Sequence, residues 1–154
     1  MFGIINEIIH LILITFIPTL ELRLSIPYGL FSGVPASVVI PVVIISNIVL
    51  GVVVYFLLNR LTDFFLQFKW FSRVYYPIIE KTHKRTKKYV DKYGFWGIAL
   101  FIAIPLPGSG SYTGALAAYV LGMKFKYFAI ANLIGVIIAG TLVSLGTLGF
   151  ISIL

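Results

Sequence analysis

The sequence predicts an all-α integral membrane protein built as an inverted repeat. Each half is a re-entrant helical hairpin followed by a transmembrane helix, and a basic amphipathic linker joins the halves. Three observations lead there. First, the chain is 60% hydrophobic and 11% charged, with mean hydropathy +1.05, whereas a soluble domain is about a quarter charged. Second, two apolar stretches are broken in their middles by prolines, glycines and polar residues, at 18–29 and at 104–114. Third, nine of the twelve basic residues lie between Arg60 and Lys92, and Lys124 and Lys126 follow the second broken stretch.

The whole chain, 1–154, reads as a single membrane domain, with 1–59 as the first half and 93–154 as the second. The first hairpin covers about 2–32. Its opening arm is apolar apart from Asn6, Glu7 and His10, and a break holds Pro18, Glu21, Arg23, Pro27 and Gly29. Gly33 and Pro35 then signal a turn. Residues 38–58 form the cleanest span, 21 uncharged positions rich in Val and Ile. In water that β-branched density would suggest a strand, but length and hydrophobicity favour a membrane helix. Pro41 falls in its first turn, where a missing N–H costs little.

Residues 60–92 are the linker. Up to Tyr76 they interleave Phe64, Phe65, Phe68, Trp70 and Phe71 with Asp63, Lys69 and Arg73, a pattern for a helix lying in the membrane interface. After Pro77 comes the only hydrophilic run, with Glu80 and Lys84 spaced for an i,i+4 pair. The cluster is the positive-inside signal of a cytoplasmic segment, and it also offers a surface to anionic lipids.

The second half repeats the plan. Residues 95–122 are apolar around the break, and 127–149 form an uncharged span whose Gly135, Gly140 and Gly146 allow close packing. Lys92 precedes the broken segment, and Lys124 and Lys126 follow it. With both ends on the cytoplasmic side, 95–122 is a re-entrant hairpin. Each arm of roughly 10 residues makes about 15 Å of helix, half of a ~30 Å hydrocarbon core. The same logic has the 2–32 hairpin enter from outside. A competing topology has 2–20 and 95–122 cross fully, which puts Glu21 and Arg23 in an external loop and Lys124 and Lys126 outside. A weak internal match supports the repeat: Gly29 to Asn47 and Gly114 to Asn132 are both 18 residues apart.

Inverted repeats with broken helices are a transporter architecture. Charges within membrane-embedded segments are costly and usually functional. Glu21 and Arg23 are therefore the first candidates, Arg23 as anchor for an anionic group and Glu21 as a carboxylate that binds H+ or Na+. Their bland alternative is a mutual ion pair. The second tip supplies Pro105, Pro107, Gly108, Ser109, Gly110, Ser111, Tyr112 and Thr113. A half-helix starting near Ser111 would offer free N–H groups and a positive dipole end to an anion, unless the glycines merely break the helix and the hydroxyls cap it. Pro18, Pro27, Gly29, Asn47 and Asn132 are candidates for structural or coupling roles, the two amides for interhelical hydrogen bonds. The chain has no cysteine, and no metal-ligating or Ser-His-Asp pattern favours catalysis. No enzyme, resident cofactor or nucleic-acid partner is expected, nor a cleaved secretory signal.

The two breaks also carry a family resemblance. Glu21-Leu22-Arg23-Leu24-Ser25-Ile26-Pro27-Tyr28-Gly29 resembles the Glu-Leu-Arg…Ile-Pro-x-Gly signature of the small multidrug export protein family. Pro105-Leu106-Pro107-Gly108-Ser109-Gly110-Ser111-Tyr112-Thr113-Gly114, led in by Lys92-Tyr93-Gly94, resembles its second signature. Tyr112 stands where Trp is commoner, and Leu24-Ser25 where Gly-Ala is usual. The two-hairpin layout also resembles the wider DedA/VTT superfamily, some of whose members are implicated in moving polyprenyl-phosphate or other lipids. The superfamily's second acidic and arginine positions are not evident in the Pro105 hairpin. The family resemblance implies export, and with Arg23 and the helix ends as the sole basis for an anionic group the expectation is a plasma-membrane, multi-pass transporter of an amphiphilic, anionic substrate, a lipid phosphate or a drug. One full span per half leaves little wall around a pathway, which argues for a homodimer. The alternative is a non-transporting membrane factor whose basic linker binds anionic lipids or partner proteins.

Overall fold

The computed structural model describes residues 2–18, 20–69, 72, 73, 76, 77, 80, 93–106 and 109–153. Among them the chain is helical, without strands. Six helices follow in order: α1 (Phe2–Phe16), α2 (Glu21–Phe31), α3 (Ala36–Phe65), α4 (Phe95–Ala103), α5 (Ser111–Val120) and α6 (Phe125–Ile151). Two stretches are long and apolar enough to cross a membrane, Ala36–Thr62 and Phe125–Ile151, each of 27 residues. At 1.5 Å per residue each spans about 40 Å, more than the ~30 Å hydrocarbon core. The other helices have 15, 11, 9 and 10 residues, or about 14–22 Å.

Both breaks are present but shorter than the expected 18–29 and 104–114, because helix resumes at Glu21 and at Ser111, so Glu21, Arg23, Pro27 and Gly29 lie in a helix. The first falls between α1 and α2, with Pro18 in the turn. The second falls between α4 and α5, where Ile104 adopts an extended backbone (φ −77, ψ 117) because proline at 105 disfavours the helical region for the residue before it. Residues 95–122 are therefore not one continuous crossing helix. The outer boundaries shift: α3 runs to Phe65, seven positions past the expected end at 58. No Pro or Gly interrupts Asn59 to Phe65, so the helix continues through the first polar residues. Most of the basic linker, including Lys84, lies outside the described residues.

The long helices run antiparallel. Ile44 of α3 meets Gly140 of α6, and further along Gly51 meets Asn132. Further still, Tyr55 stacks on Phe128 at 5.0 Å and 14°. Tyr55 also donates its hydroxyl to the Met123 carbonyl at 2.6 Å. Around this pair the packing is reciprocal. Helix α1 lies on α3 and α4 on α6, while α2 reaches across to α6 and α5 to α3. The turns leading into α3 and α6 share one hydrogen-bond pattern. Val34 N–H donates to the Gly29 carbonyl and Met123 N–H to that of Ala118; Val38 donates to Pro35 and Tyr127 to Lys124. Gly33 (φ +80) and Gly122 (φ +69) occupy the left-handed position of each turn, where a side chain would be strained.

These matches carry an offset of 89 positions (122 − 33 = 89). The sequence comparison of Gly29 and Gly114 implies 85 (114 − 29 = 85), and that register does not hold: Gly29 is the ninth residue of α2 and Gly114 the fourth of α5. Gly29 instead meets Leu11 and Val39, at 2.8 Å from where its Cβ would lie, so it closes α2 onto α1 and α3. Pro27 sits inside α2 and lacks the N–H that would bond the Arg23 carbonyl.

Candidate functional site at two helix breaks

The first residue of α2 reaches the first turn of α5. Glu21 Oε2 accepts from Ser111 N–H and Oε1 from Tyr112 N–H, both at 3.0 Å. The carboxylate is buried, at 3% exposure. These N–H groups have no intrahelical partner, and they carry the positive end of the α5 dipole. Glu21 thus caps α5 from another part of the chain. Gly110 makes room for it, since a Cβ there would collide with Glu21 Oε2.

Arg23 engages the same break. Its Nη2 donates to Ser109 Oγ at 3.0 Å. Ser109 Oγ in turn lies 2.6 Å from the Ile104 carbonyl and 3.0 Å from that of Leu106. The Nε of Arg23 is buried and has no partner among the described residues. Glu21 and Arg23 thus each reach the second break. The geometry differs here from both sequence expectations. The pair is directed across the molecule, and the helix end expected to receive an external anion already holds the chain's own carboxylate.

Backbone strain falls on the same residue. Glu21 has φ +45, the only positive φ of a non-glycine residue among the described positions. Such a conformation costs on the order of 1–3 kcal/mol and tends to sit at functional sites. A local network holds the strained turn. Ser25 Oγ lies 2.8 Å from the Glu21 carbonyl, and Thr15 Oγ1 lies 2.8 Å from Ser25 Oγ. Sequence reasoning missed Thr15 and did not single out Ser25 beyond its motif. Their only signal was a hydroxyl on a face that is otherwise apolar.

The remaining candidates divide. Tyr112 contributes its backbone to the site, and the residue is 37% exposed. Thr113 Oγ1 lies at 3.5 Å from the Gly110 carbonyl, within its own turn. Pro105 sets the extended entry to the break, and Pro107 and Gly108 lie outside the described residues. Asn132 Nδ2 donates to the Ile48 carbonyl of α3 at 3.1 Å, the interhelical bond expected of it. Asn47 is fully buried, and neither side-chain atom has a partner among the described residues. No group of three or more metal-ligating side chains occurs among the described residues.

The anion-binding groups at the α5 N-terminus are occupied from within the chain. Two N–H groups and a guanidinium converge near a single carboxylate, so a second anion could bind there only as Glu21 withdraws or is neutralised. A model of the family described as "Putative small multi-drug export protein" matches residues 21–142, from Glu21 through most of α6. No curated protein and no solved structure matches the chain.

Proposed function

Because the chain belongs to the small multi-drug export protein family, we propose that it transports an amphiphilic anion through a site shared by the two helix breaks. Glu21 is the coupling carboxylate and Arg23 the anchor for the anionic headgroup. In the resting state Glu21 occupies the α5 N-terminus. When Glu21 is neutralised or withdraws, Ser111 N–H and Tyr112 N–H are freed. A phosphate or carboxylate headgroup then takes their bonds and adds the Arg23 guanidinium, keeping the local charge balanced. The observation that carries this reading is the seating of both Glu21 oxygens at 3.0 Å on α5, with Arg23 on the neighbouring Ser109.

The inverted repeat belongs to the same proposal. Antiparallel α3 and α6, the reciprocal packing and the shared turn pattern support it. On this plan α1–α2 and α4–α5 are re-entrant hairpins entering from opposite sides, and the basic linker is cytoplasmic in the plasma membrane. A second copy completes the wall of the pathway. Kinship with the DedA/VTT superfamily rests on that layout alone.

The test is reconstitution into vesicles carrying fluorescent phosphatidate in both leaflets, with reduction by external dithionite to follow translocation. Arg23→Gln removes a charge-assisted contact of about 1.5–3 kcal/mol, which predicts at least a tenfold slower rate. Unchanged translocation in folded Arg23→Gln protein would overturn the proposal. Ethidium, a cation, serves as the counter-probe and should not depend on Arg23 in this way.

A further inference from the structure

Two buried polar side chains at the site's edge, Asn47 and Ser111, were both site candidates in the sequence, Asn47 as a structural or coupling residue and Ser111 at the second tip. Asn47 of α3 and Ser111 of α5 are both fully buried. Asn47 Nδ2, Asn47 Oδ1 and Ser111 Oγ have no hydrogen-bond partner among the described residues. Buried polar groups in folded proteins are nearly always paired, with protein or with ordered water.

The helix register places the two side chains at one level. Tyr55 and Tyr119 have ring centroids 6.3 Å apart, so α3 and α5 are aligned there. Asn47 precedes Tyr55 by eight residues (55 − 47), and Ser111 precedes Tyr119 by eight (119 − 111). Both lie about 12 Å back along their helices. Ser111 shares its buried face with Ala115 and Ala118 at i, i+4 and i+7, on a helix that packs against α3. On α3, Ile44 and Gly51 face α6, and Val39 faces Gly29 of α2. Asn47 falls between these directions, on the face of α3 between its α2 and α6 contacts. The Ser111 backbone N–H holds Glu21 directly.

We infer that Asn47 and the Ser111 hydroxyl form a buried hydration site that delivers protons to Glu21, which makes the proton the coupling ion. The choice between proton and sodium follows from Asn47. Its amide leaves the two Nδ2 N–H donors and the Oδ1 acceptor unpaired, and water can both accept and donate. A bare cation would satisfy Oδ1 and leave Nδ2 buried without an acceptor, at a cost of about 1–3 kcal/mol. In the transfer step a hydronium on this water gives its proton to Glu21 Oε2. One O–H bond breaks on the hydronium, one forms on the carboxyl, and a water molecule stays behind. The Ser111 N–H then loses its anionic acceptor, which is the event that frees the α5 N-terminus. Arg23 on α2 is the cation nearest in the chain to Glu21. Helix α1 offers Glu7 and His10, one turn and more from the Thr15 end, and α4 and α5 carry no charged residue. Neither α3 over 36–59 nor α6 over 127–151 carries one. Tyr55 and Tyr119 are neighbouring phenols on α3 and α5, Tyr28 on α2 and Tyr127 on α6 are exposed, and Tyr112 lies beside the site.

This inference rests on the reading of Glu21 as the coupling carboxylate, but its test needs no substrate and so fails separately from that reading. The full chain is reconstituted in phosphatidylcholine bilayers and followed by infrared spectroscopy. A carboxylic C=O band appears on acidification, and Glu21→Gln assigns it by removing it. On transfer to D2O the band shifts as COOH becomes COOD, and the rate reports water access. Asn47→Leu fills the hydration site and should slow the exchange at least tenfold. Asn47→Ala leaves room for water and should keep the exchange within threefold of wild type. Ser111→Ala, a smaller change, should slow it severalfold and keeps the test decisive if Asn47→Leu does not fold. Equal rates in wild type, Asn47→Leu and Ser111→Ala would overturn the inference. So would a rise in melting temperature when NaCl replaces choline chloride that Asn47→Leu abolishes, since that would make the site a sodium site.

Discussion

Adding one methyl group at Gly110 tests the seating of Glu21 without touching Glu21. A Cβ at 110 would collide with Oε2 and lie 2.9 Å from both Cδ and Oε1. The carboxylate sits on helical N–H groups and the Cβ is fixed to the backbone, so neither gives way cheaply. Gly110→Ala therefore unseats Glu21 and breaks two charge-assisted bonds worth about 1.5–3 kcal/mol each. Relaxation and water at the freed N–H groups recover part of this, which leaves a loss of about 3 kcal/mol. In a chain of this size that lowers the melting temperature by on the order of 10 °C. The assay is thermal unfolding in detergent micelles, read by tryptophan fluorescence, with Trp96 on α4 as one reporter. Gly146→Ala is the control, because nothing lies within 4 Å of its would-be Cβ. It should be neutral or slightly stabilising, since Gly→Ala in a helix restricts the unfolded chain. A Gly110→Ala midpoint within 2 °C of the control (roughly 1 kcal/mol or less) would refute the seating of Glu21 on α5.

Three further outcomes follow from the packing. Gly51→Ala puts a Cβ at 2.5 Å from Asn132 Nδ2 and should cost about 2–3 kcal/mol by breaking its bond to the Ile48 carbonyl and leaving polar atoms buried; adding Asn132→Ala should recover more than half of that loss in the same melting assay. Tyr55→Phe keeps the ring stack and removes the hydroxyl that donates to Met123, 2.6 Å away, so its midpoint should fall by the equivalent of about 1–2 kcal/mol, and an unchanged midpoint would discount the bond. Lys124→Cys should react with a membrane-impermeant maleimide only after vesicles or cells are opened on the cytoplasmic side, and labelling from outside would refute the re-entrant topology of α4–α5.

The helix breaks were legible because proline and glycine act locally. Proline at 105 disfavours the helical region for Ile104 whatever the rest of the chain does, and Gly33 and Gly122 mark turns that need positive φ. The long spans were legible from length and hydrophobicity, to within a few residues except at the α3 end. Glu21 and Arg23 stood out as charges in apolar surroundings. Their partners did not, because the Glu21–Ser111 contact joins residues 90 positions apart, and nothing local to either residue names the other. The sequence match behind the proposed repeat used an offset of 85 where the turns match at 89, for a related reason. Asn47 and Asn132 look alike in sequence, yet their surroundings differ: Asn132 lies against Gly51 with its amide bonded across to α3, and Asn47 has no such partner among the described residues. Among apolar helices a shared Asn is a weak marker, whereas a turn glycine is set by backbone geometry and keeps register.

The corrected register also gives a reason for the asymmetry of the site. On the proposed repeat, position 21 corresponds to position 110 (110 − 21 = 89), and these two residues meet. A pseudo-two-fold arrangement brings equivalent positions face to face where the breaks approach each other. Two copies of a long side chain cannot share that space, and two carboxylates there would repel each other in a low dielectric. The chain has Glu on one side and no side chain on the other. The glycine leaves the space that the carboxylate fills, and the α5 N–H groups beside it supply the partial positive charge. Arg23 corresponds in the same way to Tyr112, whose backbone N–H is the second donor to Glu21. One break therefore provides the charged groups and the other provides backbone donors and room. Duplicating either half would give a site with two buried carboxylates or with none. A single carboxylate that is held at one helix end and can be neutralised is what the proposed coupled exchange requires, and the divergence between the two breaks is what leaves only one.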